Sequence, residues 1–261
     1  LENTMNRTQL PSLILAFGFT LGTTLSLSIF SPPTQAAEPI TYNAPSGTVQ
    51  IQNTLESRGP SRGPSRGPSR GPSRGACSGI EPDFKLHVLV PGLGHTISAQ
   101  PTLYWSISQP ISLGQAIVTL KPTVDPNSFE FPDPLIEETF DLSVPAGIQA
   151  LPLSQYGVKL DQNVEYEWSI SLVCDPFNPS LNIFSTGRIK KVAPSAKLSQ
   201  ALKTTQSKQL PYLYAENGVW YDSLDELSQS IQKKPADKKL RKVRASLLKQ
   251  GGLKSVAAFD M

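Results

Sequence analysis

One stretch of strict alternation, VEYEWSISLVC at residues 164–174, constrains the fold more than any other part of the sequence. Every second residue from Val164 to Cys174 is apolar or aromatic, and the residues between them are mostly Glu and Ser. A period of two puts the apolar side chains on one face of an extended chain, as in an antiparallel strand with one buried side. The chain is therefore predicted to contain a half-buried sheet.

Further short segments with strand character flank this one. The predicted strands are Phe84–Val90, Leu103–Ser108, Gln115–Leu120, Glu138–Val144, Ile148–Leu153 and Ile183–Val192. They are separated by turn signals rich in Pro, Gly, Asn and Asp. About seven strands at this spacing predict a mainly β fold: an antiparallel immunoglobulin-like β-sandwich over residues 77–192, with a barrel as the alternative. Trp105 and Trp168 are the expected core anchors.

Residues 1–36 have the layout of a secretory signal peptide. A short basic region follows Met5, an apolar stretch runs from Leu13 to Phe30, and small residues lead to a cleavage site after Ala36. An uncleaved membrane anchor is the alternative, because the apolar stretch approaches the length of a membrane span. The sequence thus predicts export, to the periplasm or to the outer envelope.

Cys77 and Cys174 are the two cysteines of the chain. In an exported protein two cysteines most simply form a disulfide. In the chain-entropy model, closing a loop of this length would stabilise the folded state by about 4–5 kcal/mol. The alternative, a redox or metal-binding pair, is poorly supported because the spacing is long and only His87 and His95 are available as additional ligands.

Residues 37–76 end in an SRGP repeat that stops just before Cys77. Few large apolar side chains follow Leu55, so the segment is predicted to be a disordered linker that holds out a domain beginning near Cys77. The alternative is contact with an anionic surface polymer through the repeated arginines, which are Arg58, Arg62, Arg66, Arg70 and Arg74. Nucleic acid is not an expected partner, since no aromatic residues lie between these arginines and the chain is predicted to be exported.

Residues 193–261 change to a helical pattern. The stretch YLYAENGVWYDSLDELSQSI resembles the middle of one tetratricopeptide repeat, with Gly218 at the turn of a helical hairpin. A hairpin packed on the sandwich is the simpler interpretation. If a binding face exists, the aromatic residues beside this turn are its candidates: Tyr212, Tyr214, Trp220 and Tyr221.

A last helix is predicted from Asp237 to Lys249, with an apolar stripe from Leu240 to Leu248. Its basic residues are Lys238, Lys239, Arg241, Lys242 and Arg244. Two interpretations stand: contact with an anionic membrane surface, or docking on the sandwich, where acidic residues outnumber basic ones.

Several quoted segments together resemble a known family. They are CSGI at residue 77, LVP at 89, EYEWSISLVCDP at 165, GRIKKV at 187 and LYAENGVWYDSLDEL at 213. They are similar to the cyanobacterial proteins of domain of unknown function 928, over roughly residues 76–255. The resemblance implies a signal peptide, a low-complexity linker and a β-then-helix body. It implies no established activity and no catalytic residues.

No enzyme motif accompanies these elements: the sequence lacks a GxSxG elbow, an HExxH helix and a Walker loop. No cofactor is expected. The sequence therefore favours a non-enzymatic envelope protein that binds another envelope protein or an anionic surface polymer. A peripheral membrane adaptor using the basic segments and, less favoured, an envelope hydrolase are the alternatives.

Overall fold

Strands come first and helices last in the computed structural model, which describes residues 39–45, 77, 80–81, 83–124 and 132–261. The predicted signal peptide at 1–36 and the SRGP repeats lie outside these described residues. The strands are β1 (Leu86–Val88), β2 (Leu93–Thr96), β3 (Thr102–Ile107), β4 (Ile111–Pro122), β5 (Ile136–Val144), β6 (Gly147–Pro152), β7 (Glu165–Leu172) and β8 (Ile183–Lys191).

The strands form two sheets. The smaller has the order β1-β3-β6, and the larger has the order β2-β8-β7-β4-β5. All described pairings are antiparallel except β2 with β8. The prediction of a mainly β fold with two sheets is confirmed, and each of the predicted strands overlaps an observed one.

β7 shows why the alternating segment folds as it does. Its side chains alternate between half-buried and buried along the whole strand, and Trp168 and Ile170 are fully buried. Its inward side chains face those of β1 and β3 across a shared core, which also includes Trp105. Both tryptophans predicted as core anchors are in the core.

β2 was not predicted, because LGHT shows no apolar alternation. Gly94 on this strand lets β2 lie against the helix that carries Tyr221. A Cβ atom at this position would lie 2.6 Å from a ring carbon of Tyr221, so only glycine allows the helical segment to approach this closely.

The helical segment contains α1 (Ala196–Leu202), α2 (Leu210–Glu216), α3 (Trp220–Lys233), α4 (Lys238–Gln250) and α5 (Lys254–Ala257). Side chains cap two of them: Ser195 accepts a hydrogen bond from the Leu198 amide, and Asp237 accepts from the amides of Lys239 and Leu240. The predicted C-terminal helical segment is confirmed, and α5 is an addition that the sequence analysis did not anticipate.

The helical segment and the sheets share one hydrophobic core. α3 contributes Trp220, Tyr221, Leu224 and Leu227 to it, and α4 contributes Leu247 among others. Polar contacts also join the two parts: the hydroxyl of Tyr104 on β3 donates a 2.7 Å hydrogen bond to the carboxylate of Asp225 on α3. Among the described helices, none is both long and apolar enough to cross a membrane.

The predicted disulfide between Cys77 and Cys174 is present, with its Cα atoms 4.5 Å apart and a sequence separation of 97. Cys174 follows directly on the end of β7, so the bond fixes the start of the β region to the larger sheet. The amide of Cys174 also donates to the side chain of Asn182, which steadies the turn leading to β8.

Residues 39–45 depart from the predicted linker of residues 37–76. They are part of the folded body, since Ile40 and Tyr42 are buried and belong to the hydrophobic core. We call them the N-terminal strap. The folded body therefore does not begin near Cys77, and the repeats connect two anchored points of one unit instead of holding out a separate domain.

Candidate functional site

Trp220 and Tyr221, predicted as candidates for a binding face, lie in the core and are 0% and 1% exposed. The indole of Trp220 donates a hydrogen bond to the carbonyl oxygen of Leu89 at 2.8 Å. The hydroxyl of Tyr221 accepts from the indole of Trp168 at 2.9 Å and donates to the carbonyl of Arg188 at 3.2 Å. Their hydrogen-bonding groups are used internally, so the expectation that they contact a ligand is corrected: they join α3 to the sheets.

Tyr212 and Tyr214, the other two candidates, are half-buried on α2. Burial raises the pKa of Tyr214, and the nearby carboxylates of Asp222 and Glu226 raise it further. The rings of Tyr212 and Tyr214 are thus partly accessible to solvent, whereas Trp220 and Tyr221, the other two candidates, are not.

The basic residues of α4 are divided by the fold. Arg244 is buried and forms a bidentate pair with Asp260, at 2.6 and 2.7 Å, and it also donates to the hydroxyl of Ser228. Arg241 lies 3.6 Å from Asp260 and donates to the carbonyl of Pro235.

The buried pair bears directly on the predicted membrane contact. Lys238, Lys239 and Lys242 are exposed, whereas Arg244 is inaccessible to an anionic surface. The apolar stripe of the helix packs into the core through Val243, Leu247 and Leu248. A helix whose apolar face is already buried has no such face to insert into a membrane. The predicted arginine contacts at Arg58 to Arg74 lie outside the described residues.

The two histidines lie on strands of different sheets. His87 lies on β1, where burial and the charge of Lys85 lower its pKa, and its Nε2 atom is buried without a hydrogen-bond partner. His95 lies on β2, where burial and Lys190 lower its pKa while Glu165 opposes them. Within the residues the structure describes, no cluster of three or more His, Cys, Asp or Glu side chains is placed to hold a metal ion.

The larger sheet presents a broad surface away from the core, which we call the outer face. It is made of cross-strand rows from β4, β7 and β8. The rows are Ile117–Ser171–Phe184, Thr119–Ser169–Thr186 and Lys121–Glu167–Arg188. All of these side chains are exposed or half-buried, and several of them line a shallow groove of about 290 Å³.

Two ion pairs lie at one end of the outer face. Lys121 lies 3.7 Å from Glu167, and Arg188 donates to Glu165 at 2.9 Å. The side chains of both pairs are partly exposed to solvent, so each pair contributes little to stability. A ligand beside these two pairs would meet groups that already have a counter-charge.

The opposite end of the outer face is aromatic. Phe184 is 61% exposed, and Phe177, in the turn before β8, is 96% exposed. Exposed phenylalanine is uncommon on a soluble surface, and here it adjoins the hydroxyl groups of Ser171 and Thr186. An apolar ring beside a row of hydroxyl groups is suited to a ligand with both apolar and hydrogen-bonding faces.

The sequence pattern predicts the β7 part of the outer face. The alternation of β7 placed Glu165, Glu167, Ser169 and Ser171 on one face, but it gave no reason to single out Phe184. That residue joins the others only through the pairing of β7 with β8, in which Ser171 is opposite Phe184. Strand register was not inferred from the sequence.

A second groove, of about 490 Å³, lies between the smaller sheet and the helical segment. Tyr104 and Ile148 line it from the sheet, and Ser228, Arg244 and Asp260 line it from the helices, together with the partly exposed ring of Phe259. Arg241 also lines it, so the groove carries two guanidinium groups and one carboxylate, and both arginines already contact Asp260.

Comparison with known proteins gives a family match. The family model described as Domain of Unknown Function (DUF928) matches residues 65–260. No curated protein matches the chain. Among solved structures, it is similar to the CARDB domain of the PF1109 protein from Pyrococcus furiosus, determined in complex with di-metal ions. The two sequences are 10% identical and the structures superpose with a TM-score of 0.24. The match covers 43% of this chain and 94% of the CARDB chain.

Proposed function

Because the chain belongs to the DUF928 family, whose activity is not established, we propose its function from its own surface: it is an exported, non-enzymatic binding module that recognises a neutral surface polysaccharide through the outer face. The observation that carries the proposal is the row Ile117–Ser171–Phe184, where an exposed aromatic ring lies beside hydroxyl groups. Sugar rings have apolar C–H faces that pack on aromatic rings and hydroxyl groups that bond to Ser and Thr.

The sequence predicts another envelope protein or an anionic surface polymer as the partner, and a neutral polysaccharide replaces the anionic polymer here. That expectation rested on the arginine repeats and on the basic last helix. In the described residues, Arg244 is buried against Asp260, and the outer face pairs Lys121 with Glu167 and Arg188 with Glu165. Basic groups that already have a counter-charge gain little from an anionic ligand.

Export and location are part of the proposal. The predicted signal peptide at residues 1–36 and the disulfide between Cys77 and Cys174 support a mature chain that folds in an oxidising compartment. The resemblance to cyanobacterial proteins implies an envelope of that type as the location. N-terminal sequencing of the mature protein is expected to find Ala37 as the first residue.

We also propose the finer architecture. Two mostly antiparallel sheets around one core support an immunoglobulin-like sandwich, and the turn at Gly218 between α2 and α3 supports a hairpin like that of a tetratricopeptide repeat. An experimental structure checks both, through the crossing angle of the sheets and that of the helices.

A pull-down with insoluble polysaccharides tests the binding proposal. The mature chain is expected to bind cellulose or chitin, to ignore the anionic polymer alginate, and to keep its affinity when salt is raised. Phe184→Ala is expected to weaken binding about tenfold. Phe259→Ala is the matched control, since it removes another partly exposed ring from the groove beside the helices. Equal binding by the two variants, or binding to alginate alone, contradicts the proposal.

A further inference from the structure

The N-terminal strap has the pattern of a bound extended peptide. Its burial alternates: Ile40 and Tyr42 are 3% and 8% exposed, whereas Pro39, Thr41 and Asn43 are exposed. Alternation of this kind places two side chains in pockets and leaves the others in solvent, which is how receptors commonly hold extended peptides.

The side-chain amide of Gln250, at the end of α4, holds the backbone of the strap. Its Oε1 accepts a hydrogen bond from the Tyr42 amide at 2.9 Å, and its Nε2 donates to the Ile40 carbonyl at 2.9 Å. One planar amide thus satisfies the N–H and C=O groups that a neighbouring strand would pair. Contacts to the backbone do not depend on the side chains of the peptide.

The end of α2 holds the strap from the other side. The backbone amide of Asn43 donates to the carbonyl of Ala215 at 3.1 Å, and its side-chain amide donates to the carbonyl of Glu216 at 2.8 Å. The last carbonyl groups of a helix have no partner inside the helix, and the strap donates to two of them, of which the Ala215 carbonyl also accepts from the Gly218 amide. At the turn that follows, a Cβ atom on Gly218 would lie 2.8 Å from the Asn43 carbonyl oxygen, so glycine permits this approach.

Tyr42 is the principal side-chain contact. Its ring packs edge-on against Trp220 with 4.9 Å between ring centroids, and burial raises its pKa. The pocket is therefore built from α2, α3 and α4, far along the sequence from the strap itself.

The sequence makes the strap a tethered ligand. Residues 46–76 separate it from Cys77, and the strap contacts described above reach residues beyond 214. Association of the strap is then a separate binding event, not a consequence of chain neighbourhood.

We propose that the helical segment carries a binding site for extended peptides, and that the strap is its built-in occupant. The ligand class is an extended segment with a branched aliphatic side chain and an aromatic side chain two positions later. Gln250 and the carboxyl end of α2 form hydrogen bonds with its backbone, and its aromatic ring packs against Trp220.

Binding in trans tests the proposal. The double variant Ile40→Ser/Tyr42→Ser of the mature chain removes the two pocket side chains of the strap. A fluorescent peptide with the sequence of residues 38–45 is expected to bind this variant at least tenfold more tightly than the wild type, whose own strap competes. Binding is followed by fluorescence anisotropy, and folding is checked by near-ultraviolet circular dichroism. A peptide carrying Tyr42→Ala, and a receptor carrying Gln250→Ala in addition, are both expected to bind at least tenfold more weakly.

A folded double variant that does not bind the peptide overturns the proposal. If the double variant fails to fold, a second experiment on the otherwise wild-type chain tests whether the strap can dissociate. A site-specific protease sequence is inserted between Gly67 and Pro68, and the protein is cut. The strap fragment is expected to stay bound at high protein concentration and to dissociate on dilution, with the rest of the chain folded, and added peptide is expected to rebind. Unfolding of the remainder on cutting or dilution shows that the strap is an obligatory part of the core and overturns the proposal.

Discussion

The indole nitrogen of Trp168, at the centre of the larger sheet, donates a 2.9 Å hydrogen bond to the hydroxyl of Tyr221 in the first turn of α3. Both side chains are fully buried, and the same hydroxyl donates to the carbonyl of Arg188. One hydroxyl group thus satisfies a donor and an acceptor of two neighbouring strands. The helical segment is therefore part of the core and not an appendage to it.

Tyr221→Phe tests this connection. The substitution keeps the ring and leaves the buried indole N–H of Trp168 without its acceptor, so the free energy of unfolding is expected to fall by about 1–3 kcal/mol. Urea denaturation followed by tryptophan fluorescence measures the change. Tyr214→Phe, on the half-buried surface of α2, is the control and is expected to change stability by less than about 0.5 kcal/mol.

Removal of the disulfide is expected to be costly. In the double variant Cys77→Ala/Cys174→Ala the unfolded chain regains the freedom of a long loop, and the free energy of unfolding is expected to fall by about 2–5 kcal/mol. Thermal unfolding with and without a reductant measures it. The reductant should lower the midpoint of the wild type only; an equal shift in the double variant would point to another cause.

The buried ion pair of Arg244 and Asp260 predicts a non-additive result. Asp260→Asn leaves the guanidinium charge of Arg244 without a counter-charge in the core, and it is expected to cost about 3–5 kcal/mol. Arg244→Met/Asp260→Leu removes both charges and is expected to be more stable than either single variant. A double-mutant cycle from denaturant unfolding checks this, and additive losses would argue against the pair.

Asp222 predicts a specific dependence of stability on pH. Burial raises its pKa to about 6, although hydrogen bonds from Thr96 and from the Ile97 amide act in the opposite direction. In the unfolded chain its pKa is about 3.9. The folded state therefore holds the proton more tightly, so this residue makes the protein less stable as pH rises from about 4 to 6, with no further change above that range.

Asp222→Asn removes that dependence. The difference in free energy of unfolding between variant and wild type is expected to move in favour of the variant across pH 4 to 6 and then to level off. Denaturant titrations at a series of pH values measure the difference. A difference that stays constant with pH would show that Asp222 has an ordinary pKa in the folded protein.

Local patterns in the sequence were sufficient for most of the β region. The alternation around Trp168 and the turn residues located the strands because each signal lies within a few residues of the element it describes. β2 was not predicted because LGHT has no local pattern of its own. It becomes a strand by pairing with β8, which lies far along the chain.

The aromatic residues beside Gly218 show the limit of such reasoning. An aromatic ring next to a turn is compatible both with a binding face and with a core, and the sequence does not show what packs against it. Trp220 is buried because Leu89 and the strap reach it, both from much earlier in the sequence. Arg244 is similar, since its partner Asp260 lies beyond the end of its helix.

The strap was missed because the composition of its surroundings dominated the interpretation. Two pocket side chains, Ile40 and Tyr42, are too short a pattern to predict a strand, and they precede a segment rich in Pro and Gly. The one available signal was their spacing of two in a region otherwise poor in large apolar residues.

The hydrogen bonds from Gln250 to the strap have a consequence for the order in which the protein folds. The first buried residues of the described chain, Ile40 and Tyr42, are held by the end of α4, so during synthesis the strap meets its binding site only after almost everything else in the chain has been made. Until then the strap has no partner to pack against. Closure of the core therefore waits for synthesis to pass Gln250.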